Sequence, residues 1–185
     1  MFEKIRENIK VILILIGVLV CVGMVTGYVV YKNQTSINES TKDLFSDSVN
    51  NEPSYTDLNG NPVSLEEYLG KVLVVNSWAS WSPFSRDELK NLNDLSANYD
   101  KDKVVFLAIN RKESREQAQR FVNTLPELKS LIIVIDTKDN FYTKVSGFAM
   151  PETTIYDQRG EITEQIHGLS KNENIKEIID RLLIN

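Results

Sequence analysis

Gly70-Lys71-Val72-Leu73-Val74-Val75-Asn76-Ser77-Trp78-Ala79-Ser80-Trp81 runs directly into Ser82-Pro83-Phe84-Ser85, and this junction decides the fold. From Val72 to Trp78 the chain is almost continuously apolar over a strand's length, the pattern of a central strand covered on both faces. Pro83 then punctuates a turn. Beyond it Leu89, Leu92, Leu95 and Tyr99 recur at helical spacing, with Asp87 and Glu88 where acidic side chains favour a helix N-terminus. A buried strand delivered to a helix start through a short polar turn is the frame of an α/β domain.

The flanking segments extend that frame. Val104 to Ile109 and Leu131 to Ile135 read as further buried strands, and Ser114 to Thr124 as a helix capped by Ser114. Phe141 to Val145 is a short helix ended by Gly147. Thr153 to Asp157 and Glu161 to Ile166 form a hairpin around Gln158-Arg159-Gly160, and Ile175, Ile178, Ile179, Leu182 and Leu183 stripe a C-terminal helix. Ahead of the central strand, Tyr55 to Leu58 and Val63 to Leu65 flank the turn Asn59-Gly60-Asn61-Pro62 as a short hairpin, followed by a helical turn over Leu65 to Leu69 closed by Gly70. The order β, α, β, α, β, α, β, β, α implies a mixed sheet sandwiched by helices.

Outside this domain the sequence changes character. Val11 to Tyr31 is a run of 21 residues without a charge, enough helix to cross a hydrocarbon core of about 30 Å. It exceeds the roughly 7 to 15 apolar residues of a cleaved secretory signal, so it is expected to be an uncleaved transmembrane anchor. Lys4, Arg6 and Lys10 precede it, which places residues 1–10 in the cytoplasm and everything after Tyr31 outside. Residues 32–52 are rich in Asn, Ser, Thr and Asp and read as a polar linker, leaving residues 53–185 as one domain.

Composition excludes several functions. The 185-residue chain carries 26 acidic and 21 basic side chains, a net charge of −5, without the concentrated basic surface that nucleic acid requires. No glycine-rich phosphate loop is present and no His, Cys, Asp and Glu cluster has metal-ligand spacing, so neither cofactor nor metal is expected. The single cysteine, Cys21, lies in the apolar run and cannot form an internal disulfide. His167 is the only histidine and reads as an ordinary strand or edge residue, which leaves Ser82 without the base that a serine nucleophile needs. Lys101-Asp102-Lys103 and Arg111-Lys112-Glu113 read as solvated mixed-charge turns. Trp78 is assigned to packing beside the site turn and Trp81 to an exposed contact.

The strand and tryptophan pair of residues 70–81, together with Gly147-Phe148-Ala149-Met150-Pro151-Glu152-Thr153-Thr154, resemble the thioredoxin superfamily, in particular the membrane-anchored, extracytoplasmic thiol-disulfide oxidoreductases of the TlpA and ResA type. The resemblance covers residues from Pro53 to the C-terminus and implies a thioredoxin-like fold with an added N-terminal hairpin. It implies that Ser82 stands at the position of the exposed nucleophilic cysteine and Ser85 at that of the buried resolving cysteine. By the same resemblance, Glu88 matches the acid that tunes the thiols, and Pro151 the cis-proline opposite the site. A serine hydroxyl can neither form a disulfide nor accept electrons.

Three functions follow as expectations. In the first, a redox-inactive protein binds a peptide or protein partner at Trp81, Ser82, Phe84, Met150 and Pro151. In the second, the chain is a Cys-to-Ser variant of an oxidoreductase of extracytoplasmic maturation, for example in cytochrome c assembly. In the third, Ser82 at the helix start donates a hydrogen bond to a bound thiolate. Without the thiols, Glu88 reads from its position alone as a helix-start charge or surface residue.

Overall fold

The computed structural model describes residues 23–28 and 55–184. The chain divides into two compact units, Met1–Glu39 and Ser40–Asn185. In the first, residues 23–28 are helical; the rest of the expected anchor over 11–31, like residues 1–10 and the linker over 32–52, lies outside the described residues. Among the described residues no helix is long and apolar enough to cross a membrane.

The second unit is built around the strand that the sequence marks as central. Seven strands form one sheet in the order β2-β1-β5-β4-β3-β6-β7. These are β1 (Tyr55–Asp57), β2 (Pro62–Val63), β3 (Val72–Trp78), β4 (Val104–Arg111), β5 (Ile132–Asp136), β6 (Glu152–Tyr156) and β7 (Ile162–His167). Every residue of β3 is buried. It pairs in parallel with β4, Val72 opposite Val104 through Trp78 opposite Asn110, and antiparallel with β6, Leu73 opposite Tyr156 through Ser77 opposite Glu152. The expected hairpin forms as β1 and β2, and β1 joins the main sheet against β5.

Alternation along β3 sends its side chains to two cores. Val72, Val74 and Trp78 pack with Leu89, Leu92 and Leu95 of α1 (Ser85–Ser96) and with Ile175, Ile178 and Ile179 of α4 (Asn172–Ile184). Leu73 and Val75 face the other way, against Tyr55, Leu65, Tyr156 and Phe141 of α3 (Asn140–Lys144). A 3-10 turn at Leu65–Tyr68 lies before β3, where a helical turn was expected. α2 (Arg115–Val122) contributes Ala118 to the first core and starts at Ser114, whose hydroxyl accepts the Gln117 N–H at 3.2 Å. This is the helix-sheet-helix sandwich that the element order implies.

Candidate functional site

The C-terminal ends of parallel strands are where α/β sheets bind ligands, because the loops leaving them converge there. Residues 79–84 leave the end of β3 and reach α1 as a compact loop. Ser82 N–H donates to Ala79 O at 3.1 Å and Ser85 N–H to Ser82 O at 3.3 Å, while Ala79 N–H donates to Ser85 Oγ at 3.4 Å. Ser85 is fully buried beneath the helix start. Ser82 is only 4% exposed, which corrects the expectation of an exposed nucleophile position: the loop folds its hydroxyl inward, and Oγ has no partner among the described residues. Trp81 and Phe84 on either side point outward, 63% and 50% exposed.

Glu88 occupies the next turn of α1, and its setting corrects the reading of a surface charge. It is 1% exposed. Ser170 Oγ donates to its Oε1 at 2.7 Å, and Thr153 Oγ1 approaches the same oxygen at 3.5 Å while accepting from Asn76 Nδ2 at 2.9 Å. Burial raises the Glu88 carboxyl above its ordinary range, against the opposing hydrogen bonds of Ser170 and Thr153. The acid is thus joined to β3, β6 and the loop before α4.

Opposite this loop lies the turn into β6. The Met150–Pro151 peptide is cis. Continuing the β3–β6 register sets Pro151 level with Trp78, so the turn borders the loop that leaves β3. Ala149 is held from both sides: its carbonyl accepts from Tyr142 Oη at 2.9 Å and its N–H donates to Glu152 Oε2 at 3.2 Å. Pro151 O accepts from Gly168 N–H at 2.9 Å. Glu152 is fully buried and also receives Gln165 Nε2 at 3.2 Å, with His167 Nδ1 at 2.7 Å from its Oε1. His167, on the edge strand β7, therefore bonds a carboxylate of β6, and Phe148 stacks on its ring at 3.9 Å.

Behind the site, the turn at residues 111–113 departs most from its reading as solvated charge. Arg111 binds Asp139 through Nε at 2.8 Å and Nη2 at 2.5 Å, and its guanidinium lies 3.4 Å from the Tyr142 ring centre. Glu113 is buried against Ser80. Lys112 stays exposed, while Arg111 and Glu113 are drawn in by Asp139 and Ser80, groups distant in the chain.

The structure thus joins Ser82, Ser85 and Glu88 on one loop and helix start, with Met150 and Pro151 on the adjoining turn. Exposed Trp81, Phe84, Phe148 and Leu169 lie on the segments around them. Sequence reasoning assigned no role to Glu113, Phe148, Glu152 or Ser170. Only Phe148 and Glu152, inside the Pro151 segment, carried any signal.

Comparison with known proteins agrees with this architecture. The AhpC/TSA family profile matches residues 48–165. The thiol-disulfide oxidoreductase ResA of Geobacillus kaustophilus is 30% identical over 131 residues, covering 69% of this chain and 72% of that protein. Among solved structures, the exposed lipoprotein thioredoxin Etrx1 of Streptococcus pneumoniae matches with a TM-score of 0.62 at 18% identity, over 69% of this chain and 96% of the other. StoA of Bacillus subtilis matches with a TM-score of 0.55 at 21% identity, over 68% and 96%. These two share the fold, and the family match together with the ResA relative decides kinship: the chain belongs to the AhpC/TSA thioredoxin-like family, among relatives of the ResA thiol-disulfide oxidoreductase type.

Proposed function

We propose that this chain is a membrane-anchored, extracytoplasmic member of its family that has lost redox chemistry and binds an extended peptide or protein partner. Ser82 and Ser85 take the two dithiol positions, and binding falls to Trp81, Phe84, Met150 and Pro151, over the buried hydroxyl of Ser82. The observation that carries this reading is the exposure of Trp81 and Phe84 beside a pair of hydroxyls that cannot cycle electrons. Aromatic side chains left in water at a loop otherwise fixed by hydrogen bonds favour a partner that covers them. An extended segment can add its backbone to the turn at Met150 and Pro151 without sulfur chemistry.

The test is titration of the full chain, in a mild detergent, with carboxymethylated insulin B chain, an extended polypeptide without free thiols. Wild type is expected to bind and the Trp81→Ala, Met150→Ala double variant to lose most of that affinity. Equal affinity in both, or no binding by wild type, overturns the proposal. Kinship with ResA supports a second reading, in which an oxidoreductase is seen as its Cys-to-Ser variant. Cysteine codons at positions 82 and 85 of the native gene would establish that reading, and serine codons would overturn it.

A further inference from the structure

Glu113 follows β4 on the turn into α2 and is 5% exposed. A carboxylate taken out of water needs its lone pairs filled. Four donors supply them. Ser80 N–H donates to Oε2 at 2.8 Å and Ser80 Oγ to Oε1 at 2.5 Å, Asn110 Nδ2 donates to Oε2 at 2.6 Å, and Gln117 Nε2 to Oε1 at 2.8 Å. Asn110 ends the buried run of β4 and Gln117 sits on α2, so the carboxylate is fixed by regular structure on one side and grips the site loop on the other.

The grip falls on one residue. Ser80 gives both its backbone and its side-chain donor to the same carboxylate, which fixes its peptide plane and its rotamer together. The next residue is Trp81, 63% exposed. Its ring has little packing to hold it, and the backbone on either side, Ser80 on Glu113 before it and Ser82 N–H on Ala79 O after it, sets the direction in which its Cα–Cβ bond leaves the loop. A large ring carried on a fixed backbone meets a partner at a lower ordering cost than one on a mobile loop.

We infer that Glu113 is a positioning residue of the site, acting through Ser80 to hold the exposed ring of Trp81 where a bound chain meets it. The inference rests on the peptide-binding reading above for its purpose, and on the four hydrogen bonds for its mechanism. Removing the grip leaves the ring present but unaimed, and weakens binding by about three- to tenfold, the range set by ordering one large side chain.

The chain has two tryptophans, so ¹⁵N labelling of the full chain in detergent gives two indole signals, and the Trp81→Ala variant identifies which is which. In wild type the Trp81 backbone amide is expected to be as rigid as those of β3, and in Glu113→Gln to gain fast motion while the buried Trp78 indole keeps its shift. Carboxymethylated insulin B chain should bind Glu113→Gln about three- to tenfold more weakly. Adding Glu113→Gln to Trp81→Ala should then cost no further affinity. An equal loss in that background means that Glu113 acts on the fold at large, which overturns the inference. Should Glu113→Gln fail to fold, Ser80→Ala, which keeps the backbone bond, enters the same cycle. If wild type does not bind the B chain, the peptide-binding reading falls, and the motion of Trp81 still decides the positioning: an unchanged amide in Glu113→Gln overturns it.

Discussion

The hydroxyl of Ser170 donates to Oε1 of Glu88 at 2.7 Å, across 82 residues of chain. This contact does not offset the burial of the acid, because the other oxygen, Oε2, is buried with no partner among the described residues. Burial therefore dominates and favours the protonated form in the folded state. Folded Glu88 binds its proton more tightly than the unfolded chain does, so its contribution to stability is greatest in acid. That contribution declines as pH rises from the unfolded glutamate range through the higher folded-state value. Glu88→Gln should flatten this decline and stabilise the protein by about 1 kcal/mol near neutral pH. Thermal melts of both proteins from about pH 4 to about pH 8 check it. Curves that stay parallel would reject the assignment.

The two tryptophans should separate cleanly by stability. Trp78 is fully buried, donates Nε1–H to Ala108 O at 3.2 Å and stacks on Phe121 at 5.3 Å. Trp78→Ala should cost about 3 to 5 kcal/mol. Trp81→Ala should stay within about 0.5 kcal/mol of wild type. Urea unfolding of the two variants measures both, and comparable losses would contradict the burial difference.

Ser146 closes α3 with φ +54°, a left-handed conformation. Its N–H reaches Thr143 O at 3.1 Å and Gly147 N–H reaches Tyr142 O at 2.9 Å, the paired bonds of a helix C-terminus that favours glycine. Ser146 is exposed, so its side chain is dispensable. Ser146→Gly should gain about 1 kcal/mol by relieving the left-handed strain. A fall in melting temperature would show that the hydroxyl has a role.

Placing sulfur at the two serine positions tests whether the loop can hold a dithiol. Ser82 and Ser85 are joined by the 3.3 Å bond from Ser85 N–H to Ser82 O at the helix start, the spacing at which two thiols can bridge. The Ser82→Cys, Ser85→Cys double variant should oxidise to an internal disulfide, read as the loss of two hydrogens by mass, and should reduce insulin where the parent does not. A double variant that keeps three alkylatable thiols under air, Cys21 included, would show that the loop does not place the two new ones together.

Much of this architecture is legible in the sequence because it follows from period and punctuation. The apolar runs at Val72 to Trp78 and Val104 to Ile109 become β3 and β4, and Ser114 caps a helix as its position predicts. The Trp78 and Trp81 division also holds, one buried and one exposed. The buried acids are not legible. Glu88, Glu113 and Glu152 look like surface charges because a carboxylate's burial depends on donors supplied by other segments: Ser170 for the first, Ser80 for the second, Gln165 and His167 for the third. Nothing local to those acids distinguishes them from a solvated face. Ser82 misleads in the opposite direction, since its inward turn follows from the hydrogen bonds of a loop that periodicity does not describe.

The bonds from Gly168 to Pro151 and from Ser170 to Glu88 have a consequence for biosynthesis. A ribosome makes β3, α1 and the loop bearing Trp81 long before it reaches β7, yet the partners of Glu88 and Glu152 come from Gln165 to Ser170. Until that last segment emerges, a nascent chain carries two carboxylates that lack Gln165, His167 and Ser170, beside a sheet whose growing edge is still β6. The turn at Met150 and Pro151 is therefore among the last parts of the fold to be completed, although the loop bearing Trp81 is made early.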